Sequence, residues 1–429
     1  MEYMFANDRY LLNLDLSNFR TISCNNMRHL FDNCERLNEI ILPNFETSLV
    51  TDMSFMFQGC QKIKSLNLNH FNTEKVINMK NIFANMISLT ELIINFGTQN
   101  VQDMSYMFYN DINLEKIELF SFETKNVKDL SYMFSGCEKI KNLELDNFIT
   151  TDNLIKINSM FSRCYNLEKI SINNLYTKNI KDMSHLLEDC YALKTLEIND
   201  ELFITSNVTL MNNMFTNCKA LEKIDLNKKD FNNVKNISKI FYGCENLSEI
   251  NLPVINSGNL LDMSHMFYGC KNLRNIYNIE NIETTHVINM ESIFQDCASL
   301  ESLDLSNFKT PNLLKANHMF YNCGKLINLN LNNFESNKLT NMDYFFYKCY
   351  SLSSLDLSML ETTNVKSMKF IFNYCTNLTK LNLEKFNTVN CDNFDAAFSG
   401  VSNINIIINK ENNGKLLEKI YGDYSVVDK

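Results

Sequence analysis

The sequence contains few of the residues that interrupt regular structure. Proline occurs 3 times and glycine 10 times in 429 residues, and tryptophan is absent. No stretch rich in Pro, Gly or Ser and no block of like charge divides the chain, which argues against a flexible linker between separate domains. Runs of about 18 or more apolar residues are also absent, so no membrane span is expected.

An excess of positive charge is missing as well. The formal net charge is -10 at pH 7, and the sequence pI is about 5.3. Binding to nucleic acid requires clustered Lys and Arg that neutralise phosphates, and no part of this chain supplies such a cluster. The sequence therefore predicts no nucleic-acid partner and disfavours an anionic membrane surface.

Motifs for catalysis and for cofactor or metal binding are missing too. No Walker loop, dinucleotide fingerprint, nucleophile elbow or C-x-x-C pair occurs. Four of the 6 histidines share one repeat position with Tyr and Phe, which indicates an aromatic position and not a poised base. These histidines are His29, His185, His265 and His318. The sequence predicts no enzyme, no cofactor and no metal, and a polysaccharide-binding module would need an aromatic platform that it does not reveal.

The sequence does contain a phenylalanine that recurs with a constant period. Leu187 replaces it once. The members are Phe5, Phe31, Phe57, Phe83, Phe108, Phe134, Phe161, Phe215, Phe241, Phe267, Phe294, Phe320, Phe346, Phe372 and Phe398. The period of about 26 residues is typical of a solenoid, in which each repeat buries its apolar face only against its neighbours.

Other residues keep phase with this repeat phenylalanine. Val or Ile stands seven residues before it and Met four and one before it, as in Val50, Met53 and Met56 before Phe57. Apolar residues at positions 0, 3, 6 and 7 share one side of a helix, so the pattern predicts one short helix per repeat. An Asn or Asp such as Asp52 is expected to cap its start, and a Gly or Asn two residues past the phenylalanine is expected to end it.

A strand is predicted after each of these helices. The pattern alternates there, as in Leu303-Asp304-Leu305, which is typical of one short strand per repeat. Leu300 anchors this example three residues upstream, and Phe308 follows three residues downstream.

The unit from Leu300 through Leu303, Leu305 and Phe308 to Met319-Phe320 and Cys323 resembles the BspA-like leucine-rich repeat. It is most similar to the longer Met-Phe variant found in mycoplasma-type surface lipoproteins. The resemblance covers nearly the whole chain and implies an α/β solenoid, a right-handed superhelix of about 15–16 repeats with one short parallel strand and one short helix each. We predict the solenoid over residues 1–400 and a cap of one strand plus a short helix over 401–429.

The 14 cysteines all have a place in the repeat. Twelve lie three residues after the repeat phenylalanine, including Cys60, Cys137, Cys270, Cys323 and Cys375. Adjacent turns of a solenoid, about 4.8 Å apart, would bring successive thiols within reach of a disulfide. Small apolar filler is the favoured interpretation, with disulfides and metal as alternatives, so the sequence predicts a ladder of free cysteines.

Two stripes of side chains are candidates for ligand contact. Between the paired apolar positions of the strands lies an acidic ribbon, made of Asp15, Glu118, Glu144, Glu197, Asp225, Asp304 and Asp356. A basic or amide-rich partner segment would suit it, while the favoured alternative is that these acids only keep an exposed sheet soluble. Ile41, Ile93 and Tyr277 interrupt the ribbon and are candidate apolar contacts.

The second stripe is an aromatic band. Tyr, Phe or His stands two residues before the repeat phenylalanine, and Tyr often stands one residue after it, as in Tyr106 and Tyr109 around Phe108. Exposed rings are enriched at contact surfaces. Rings stacked between adjacent turns would have the same sequence, and this packing interpretation is favoured.

The resemblance implies a non-catalytic scaffold that binds a protein partner, most often a surface adhesin or host-interaction protein. Met1 to Phe5 lack a signal peptide and enter the repeat near its middle. A cytoplasmic protein and an incomplete N-terminus of a surface protein both fit this observation, so an intracellular interaction scaffold is the alternative function. The chain is expected to be monomeric.

Overall fold

A computed structural model describes residues 1–95, 97–256, 258–420 and 424–428. The chain divides into two compact units, Met1–Val208 and Thr209–Lys429. In each unit the backbone winds into stacked coils, one for each sequence repeat, and we name each coil by its repeat phenylalanine. The predicted parallel solenoid is confirmed within both units.

The described residues of the first unit form seven short strands, each contributed by one coil. They are β1 (Asn13–Asp15), β2 (Glu39–Ile41), β3 (Ser65–Asn67), β4 (Glu91–Ile93), β5 (Asn142–Leu143), β6 (Lys169–Ser171) and β7 (Thr195–Glu197). They pair in parallel as β1-β2, β3-β4 and β5-β6-β7. Partners are equivalent residues of successive coils, such as Leu66 and Leu92, so the repeat itself sets the register.

The second unit follows the same scheme. Its strands are β8 (Lys223–Asp225), β9 (Glu249–Asn251), β10 (Asn275–Tyr277), β11 (Ser302–Asp304), β12 (Asn328–Asn330), β13 (Ser354–Asp356), β14 (Lys380–Leu383), β15 (Ile404–Ile408) and β16 (Tyr424–Asp428). They form the parallel sheets β8-β9-β10, β11-β12 and β13-β14-β15-β16. A 3-10 turn covers Ile279–Asn281, and the helix α1 covers Gly414–Leu417.

The predicted helix in each repeat is wrong. The segment around the repeat phenylalanine consists of consecutive four-residue turns: the N–H of Met56 donates to the carbonyl of Met53 at 3.3 Å. The intervening amides leave the coil, because the N–H of Phe57 donates to the carbonyl of Ile82 in the next coil at 2.9 Å. A helix would need those amides for its own i−4 carbonyls.

The conformation two residues before the repeat phenylalanine also excludes a helix. Phe55 has φ 60°, in the left-handed region, as do Tyr106, His185 and Tyr344 at the equivalent position. Gly59 stops the segment with φ 68°, as predicted for the glycine, and a Cβ there would lie 2.5 Å from Oδ1 of Asn33. The turns nevertheless bury the same four apolar positions that a helix would bury, for example Val50, Met53, Met56 and Phe57.

The predicted capping residues instead stabilise a turn. Oδ1 of Asp52 accepts the N–H of Ser54 at 2.8 Å, and the backbone of Asp52 forms isolated parallel bridges with Asn26 and Asn78. The Asn and Asp at this position thus link the coils on the side that carries the turns, and the three-residue strands link them on the other side.

Stacked phenylalanines form the core of each unit. Phe57, Phe134, Phe267, Phe320 and Phe372 are all fully buried. In the second unit the ring of Phe267 lies 5.7 Å from Phe241 and 5.8 Å from Phe294, with interplanar angles of 7° and 10°. Each unit therefore has its own column of stacked rings, from Phe5 to Phe161 in the first and from Phe215 to Phe398 in the second.

The cysteines are free, as predicted, and they also donate hydrogen bonds. Sγ of Cys60 donates to the carbonyl of Phe31 at 3.3 Å, and Sγ of Cys270 to that of Phe241 at 3.1 Å. The same bond to the preceding coil is made by Cys137, Cys164, Cys190, Cys244, Cys297, Cys323, Cys349 and Cys375. The thiol is therefore a weak donor to a buried carbonyl as well as filler.

We expect these thiols to be chemically inert in the native protein. Burial raises the pKa of Cys60 well above its ordinary value and that of Cys244 to about 12, so almost no thiolate exists at pH 8. Of the 14 cysteines only Cys24 is partly exposed. Titration with a thiol reagent at pH 8 should detect about one fast thiol per native chain and 14 in denaturant. Several fast thiols in the native protein would contradict the ladder.

Residues near the C-terminus depart from the repeat. β15 pairs in parallel with β14 and β16, and the side chains of Ile404, Ile406 and Ile408 on β15 are buried. Leu416 of α1 is buried as well. Residues 421–423 and 429 of the predicted cap lie outside the described residues, and the division at residue 400 stays a prediction.

Candidate functional site

The strand side of the coils displays the candidate contact residues. In each three-residue strand the central side chain points inward and its neighbours are mostly exposed. The structure places Asp15, Glu197, Asp225, Asp304 and Asp356 at the ends of β1, β7, β8, β11 and β13. Glu144 follows β5 directly and is exposed, whereas Glu118 lies in a coil without a strand.

Four members of the acidic ribbon already have a structural task. Oδ1 of Asp225 accepts the N–H of Asn227 at 3.0 Å, a bond that closes a turn at the strand end. Asp15, Asp304 and Asp356 accept the same bond from Ser17, Ser306 and Ser358. The aspartates are thus explained by turn formation and need no ligand.

The three glutamates of the ribbon do not close turns in this way. Nζ of Lys116 lies 2.7 Å from Oε1 of Glu118, and this hydrogen bond raises the pKa of the Lys116 ammonium. Nζ of Lys169 lies 2.6 Å from Oε1 of Glu197. Exposed pairs of this kind contribute little to stability, so Glu118 and Glu197 can exchange their lysines for a ligand at small cost, and Glu144 has no ion pair to give up.

The apolar candidates do not form one patch. Ile41, Ile93 and Tyr277 are 41%, 39% and 52% exposed. Ile41 and Ile93 lie in the same unit but two coils apart, with Asn67 of β3 in the coil between them. Tyr277, in the second unit, lines a shallow depression of about 260 Å³ with residues of β8 and β9.

A larger depression of about 690 Å³ lies in the first unit, where the strand ladder is interrupted. Residues 114–119 of the Phe108 coil form no strand, so β4 pairs only with β3 and β5 only with β6. Among the described residues this is the only coil between β1 and β16 that lacks its strand. We name residues 115–118, together with the facing sides of β4 and β5, the ladder opening.

The intervals between repeat phenylalanines vary around the opening. The interval from Phe83 to Phe108 is one residue shorter than the interval from Phe108 to Phe134, and the next interval, to Phe161, is one residue longer. The turn side remains joined, since the N–H of Phe108 donates to the carbonyl of Met133 at 2.9 Å. The coils around Phe108 are therefore still hydrogen-bonded on the turn side where the strand ladder is interrupted.

A buried carboxyl occupies the cysteine position of the same coil. Asp111 is 0% exposed, and its Oδ1 accepts the N–H of Met86 at 2.8 Å. Its Oδ2 has no hydrogen-bond partner. Burial raises the pKa of Asp111 well above its ordinary value. Thr124 Oγ1, in the same coil, is also buried without a hydrogen-bond partner. The Phe108 coil thus combines a missing strand with two buried side chains, Asp111 and Thr124, that each have an unpaired oxygen.

The aromatic band is occupied by its own stacking. The rings of Tyr106 and Tyr132 lie 4.6 Å apart with an interplanar angle of 7°, and those of Tyr321 and Tyr347 lie 4.7 Å apart. Ring faces covered in this way cannot stack on a sugar. The packing interpretation therefore accounts for the band.

Family comparison covers almost the entire chain. The family described as "Mycoplasma protein of unknown function, DUF285" matches residues 1–110, 52–169, 155–253, 246–356 and 327–419. The chain belongs to this family. The predicted relationship to BspA-like leucine-rich repeats of the mycoplasma type is confirmed. No curated protein matches the chain.

Solved structures with the same kind of repeat are similar to this DUF285 chain. A leucine-rich repeat protein from Bacteroides ovatus is 19% identical with a TM-score of 0.46, and 87% of each chain is covered. A leucine-rich cell surface protein from Faecalibacterium prausnitzii is 17% identical with a TM-score of 0.44, over 89% of this chain and 84% of the other. A leucine-rich repeat protein from Eubacterium ventriosum is 16% identical with a TM-score of 0.31, over 91% and 88%.

The described part of this DUF285 chain shows neither a cluster of metal ligands nor a membrane helix. Among those residues, no group of three or more His, Cys, Asp or Glu side chains is arranged to hold a metal ion. The helices they form are all too short or too polar to cross a membrane.

Proposed function

We propose that the chain is a non-catalytic scaffold that binds a protein partner with its strand side, as a surface adhesin or host-interaction protein. The observation that carries this proposal is the difference between the acids on that side. Aspartates such as Asp225 are used by their own turns, whereas Glu118, Glu144 and Glu197 are held only by exposed lysines or by no ion pair. Side chains without a structural task on a rigid, exposed face are the first candidates for contact with a partner.

The charge balance of this side supports a protein partner over a polyanion or a polycation. Lys116, Lys169 and Lys223 form ion pairs with Glu118, Glu197 and Glu249. A surface with alternating signs matches a polypeptide that also carries both signs. Rim charges of this type affect association rate and specificity more than affinity.

A triple charge reversal tests the proposal. We expect Glu118→Lys, Glu144→Lys and Glu197→Lys together to reduce binding of fluorescently labelled protein to host cells by about tenfold or more. The matched control reverses three exposed acids outside the strands, Glu46, Glu74 and Asp152. Equal binding by the two triple variants would remove the strand side as the contact surface.

The alternative function is an intracellular scaffold for protein assembly, and it predicts a different location. Protease added to intact source cells should degrade the protein if it is a surface adhesin. Survival of the protein in intact cells, with degradation only after lysis, would favour the intracellular scaffold. In that case the triple charge reversal should weaken binding to an intracellular protein partner instead of binding to host cells.

A further inference from the structure

The ladder opening differs from the rest of the strand side because its main chain is unsatisfied. Strand residues elsewhere hydrogen-bond to at least one neighbouring coil. Within the described part of the chain, the backbone N–H and C=O groups of residues 115–118 have no hydrogen-bond partner. Backbone groups without protein partners require water or a ligand with its own donors and acceptors.

The side chains around the opening add a charge pattern. Its depression is lined by Glu115, Lys116, Glu118, Lys141 and Glu144, among others. Lys116 pairs with Glu118, and Glu115 lies 3.8 Å from Lys139. Lys141 and Glu144 form no ion pair within 4.0 Å among the described residues, so one ammonium and one carboxylate at the depression are free of direct ion-pair contacts.

An apolar contact lies at the edge of the same depression. Phe120 is 67% exposed, and Ile117, whose equivalents on neighbouring strands are buried, is only partly covered. An exposed ring beside unsatisfied backbone provides both an anchor for a side chain and hydrogen bonds for a main chain.

We propose that the ladder opening binds an extended segment of a protein partner by β-strand addition. The segment's main chain pairs with residues 115–118, an apolar side chain lies against Phe120, and charged side chains of opposite sign lie near Glu144 and Lys141. An extended polypeptide is the occupant because it alone brings alternating N–H and C=O groups at the spacing of a strand. This inference rests on the proposed function and locates the contact within the strand side.

The probe is a displayed library of random dodecapeptides, selected on the full-length chain. Hydrogen exchange of the free protein should be fast at residues 115–118, because their amides lack partners, and slow at β6. A selected peptide should slow exchange at residues 115–118 by about tenfold or more. The same peptide with N-methyl groups at alternate residues loses main-chain donors and should bind about tenfold more weakly.

Charge reversal with rescue identifies the side-chain contacts. Glu144→Lys should weaken binding of the selected peptide about tenfold, and a peptide with the opposing charge reversed should restore it. The control Glu301→Lys changes an exposed acid that directly precedes β11 in the other unit, and it should leave binding unchanged. Far-UV circular dichroism verifies that both variants fold.

Two outcomes would overturn the inference. One is a peptide that protects amides elsewhere on the strand side, and the other is a library that yields no peptide with a Kd below about 0.1 mM. If the triple glutamate variant nevertheless loses binding to host cells, the glutamates remain contact residues of the strand side and only main-chain pairing with residues 115–118 is excluded. The peptide could instead protect residues 115–118 while the triple glutamate variant still binds host cells as the unchanged protein does. That result would contradict the proposed function and leave the peptide site standing.

Discussion

Phe267→Ala is expected to lower the free energy of unfolding by about 3–5 kcal/mol. The ring is 0% exposed and stacks on Phe241 and Phe294, so truncation leaves a cavity in the middle of the column. Coils of a solenoid are stabilised mainly by their immediate neighbours, and a defect in one ring weakens two interfaces. Denaturant unfolding followed by far-UV circular dichroism measures the loss.

Two control variants separate the effect of stacking from the effect of side-chain size. Phe267→Leu should cost less than about 1.5 kcal/mol, because the chain itself has the fully buried Leu187 at this repeat position. Phe120→Ala removes a ring that is 67% exposed and should change stability by no more than about 0.5 kcal/mol. A loss for Phe267→Ala no larger than that for Phe120→Ala would contradict a column of rings that stabilises the fold.

The sequence predicted the period and the parallel strands because both depend on spacing alone. Wherever a strand follows a repeat phenylalanine before Phe398, it starts at the same distance from it, so Leu66 pairs with Leu92 without any further information. The helix was mispredicted because spacing alone cannot distinguish a helix from successive turns that bury the same positions. Conformation distinguishes them, and Phe55 at φ 60° shows which one the chain adopts.

Ladders of threonine and asparagine were not predicted. Oγ1 of Thr47 donates to the carbonyl of Asn72 in the next coil at 2.8 Å, and Thr310 makes the equivalent bond to Glu335. Nδ2 of Asn333 donates to the carbonyl of Ser306 in the preceding coil at 2.6 Å. The signal was present as Thr and Asn at constant distances from the repeat phenylalanine, since polar side chains at such positions are needed to satisfy turn backbone.

The candidate site was predicted only in part. Alternation placed Glu197 and Asp225 on strands, as the structure has them. The ladder opening was not predicted because Glu115-Lys116-Ile117-Glu118-Leu119 has the same pattern as segments that do form strands. What differs is its neighbourhood: the preceding interval between repeat phenylalanines is one residue short, and Asp111 stands where most coils have cysteine.

Asp111→Cys is expected to raise the free energy of unfolding at pH 7 by about 1–3 kcal/mol. The substitution removes a buried carboxyl whose Oδ2 has no partner. It also supplies a thiol at the position from which the cysteines of other coils donate to the phenylalanine carbonyl of the preceding coil, here that of Phe83. The N–H of Met86 loses Oδ1 of Asp111, and the carbonyl of Phe83 lies where other coils accept this amide.

The dependence of this gain on pH is the sharper test. Burial raises the pKa of Asp111 in the folded chain above the value of 3.8 that applies when unfolded. Below about pH 3 both states hold the proton and the penalty is small; as pH rises, the unfolded state loses its proton more readily and native stability falls. The advantage of Asp111→Cys should therefore grow from pH 4 to pH 7, and Asp111→Asn should show the same trend. The exposed control Asp146→Asn should change stability by no more than about 0.5 kcal/mol at both pH values. A stability gain of Asp111→Cys that does not change with pH would mean that side-chain packing, and not ionisation of the Asp111 carboxyl, limits the stability of this coil.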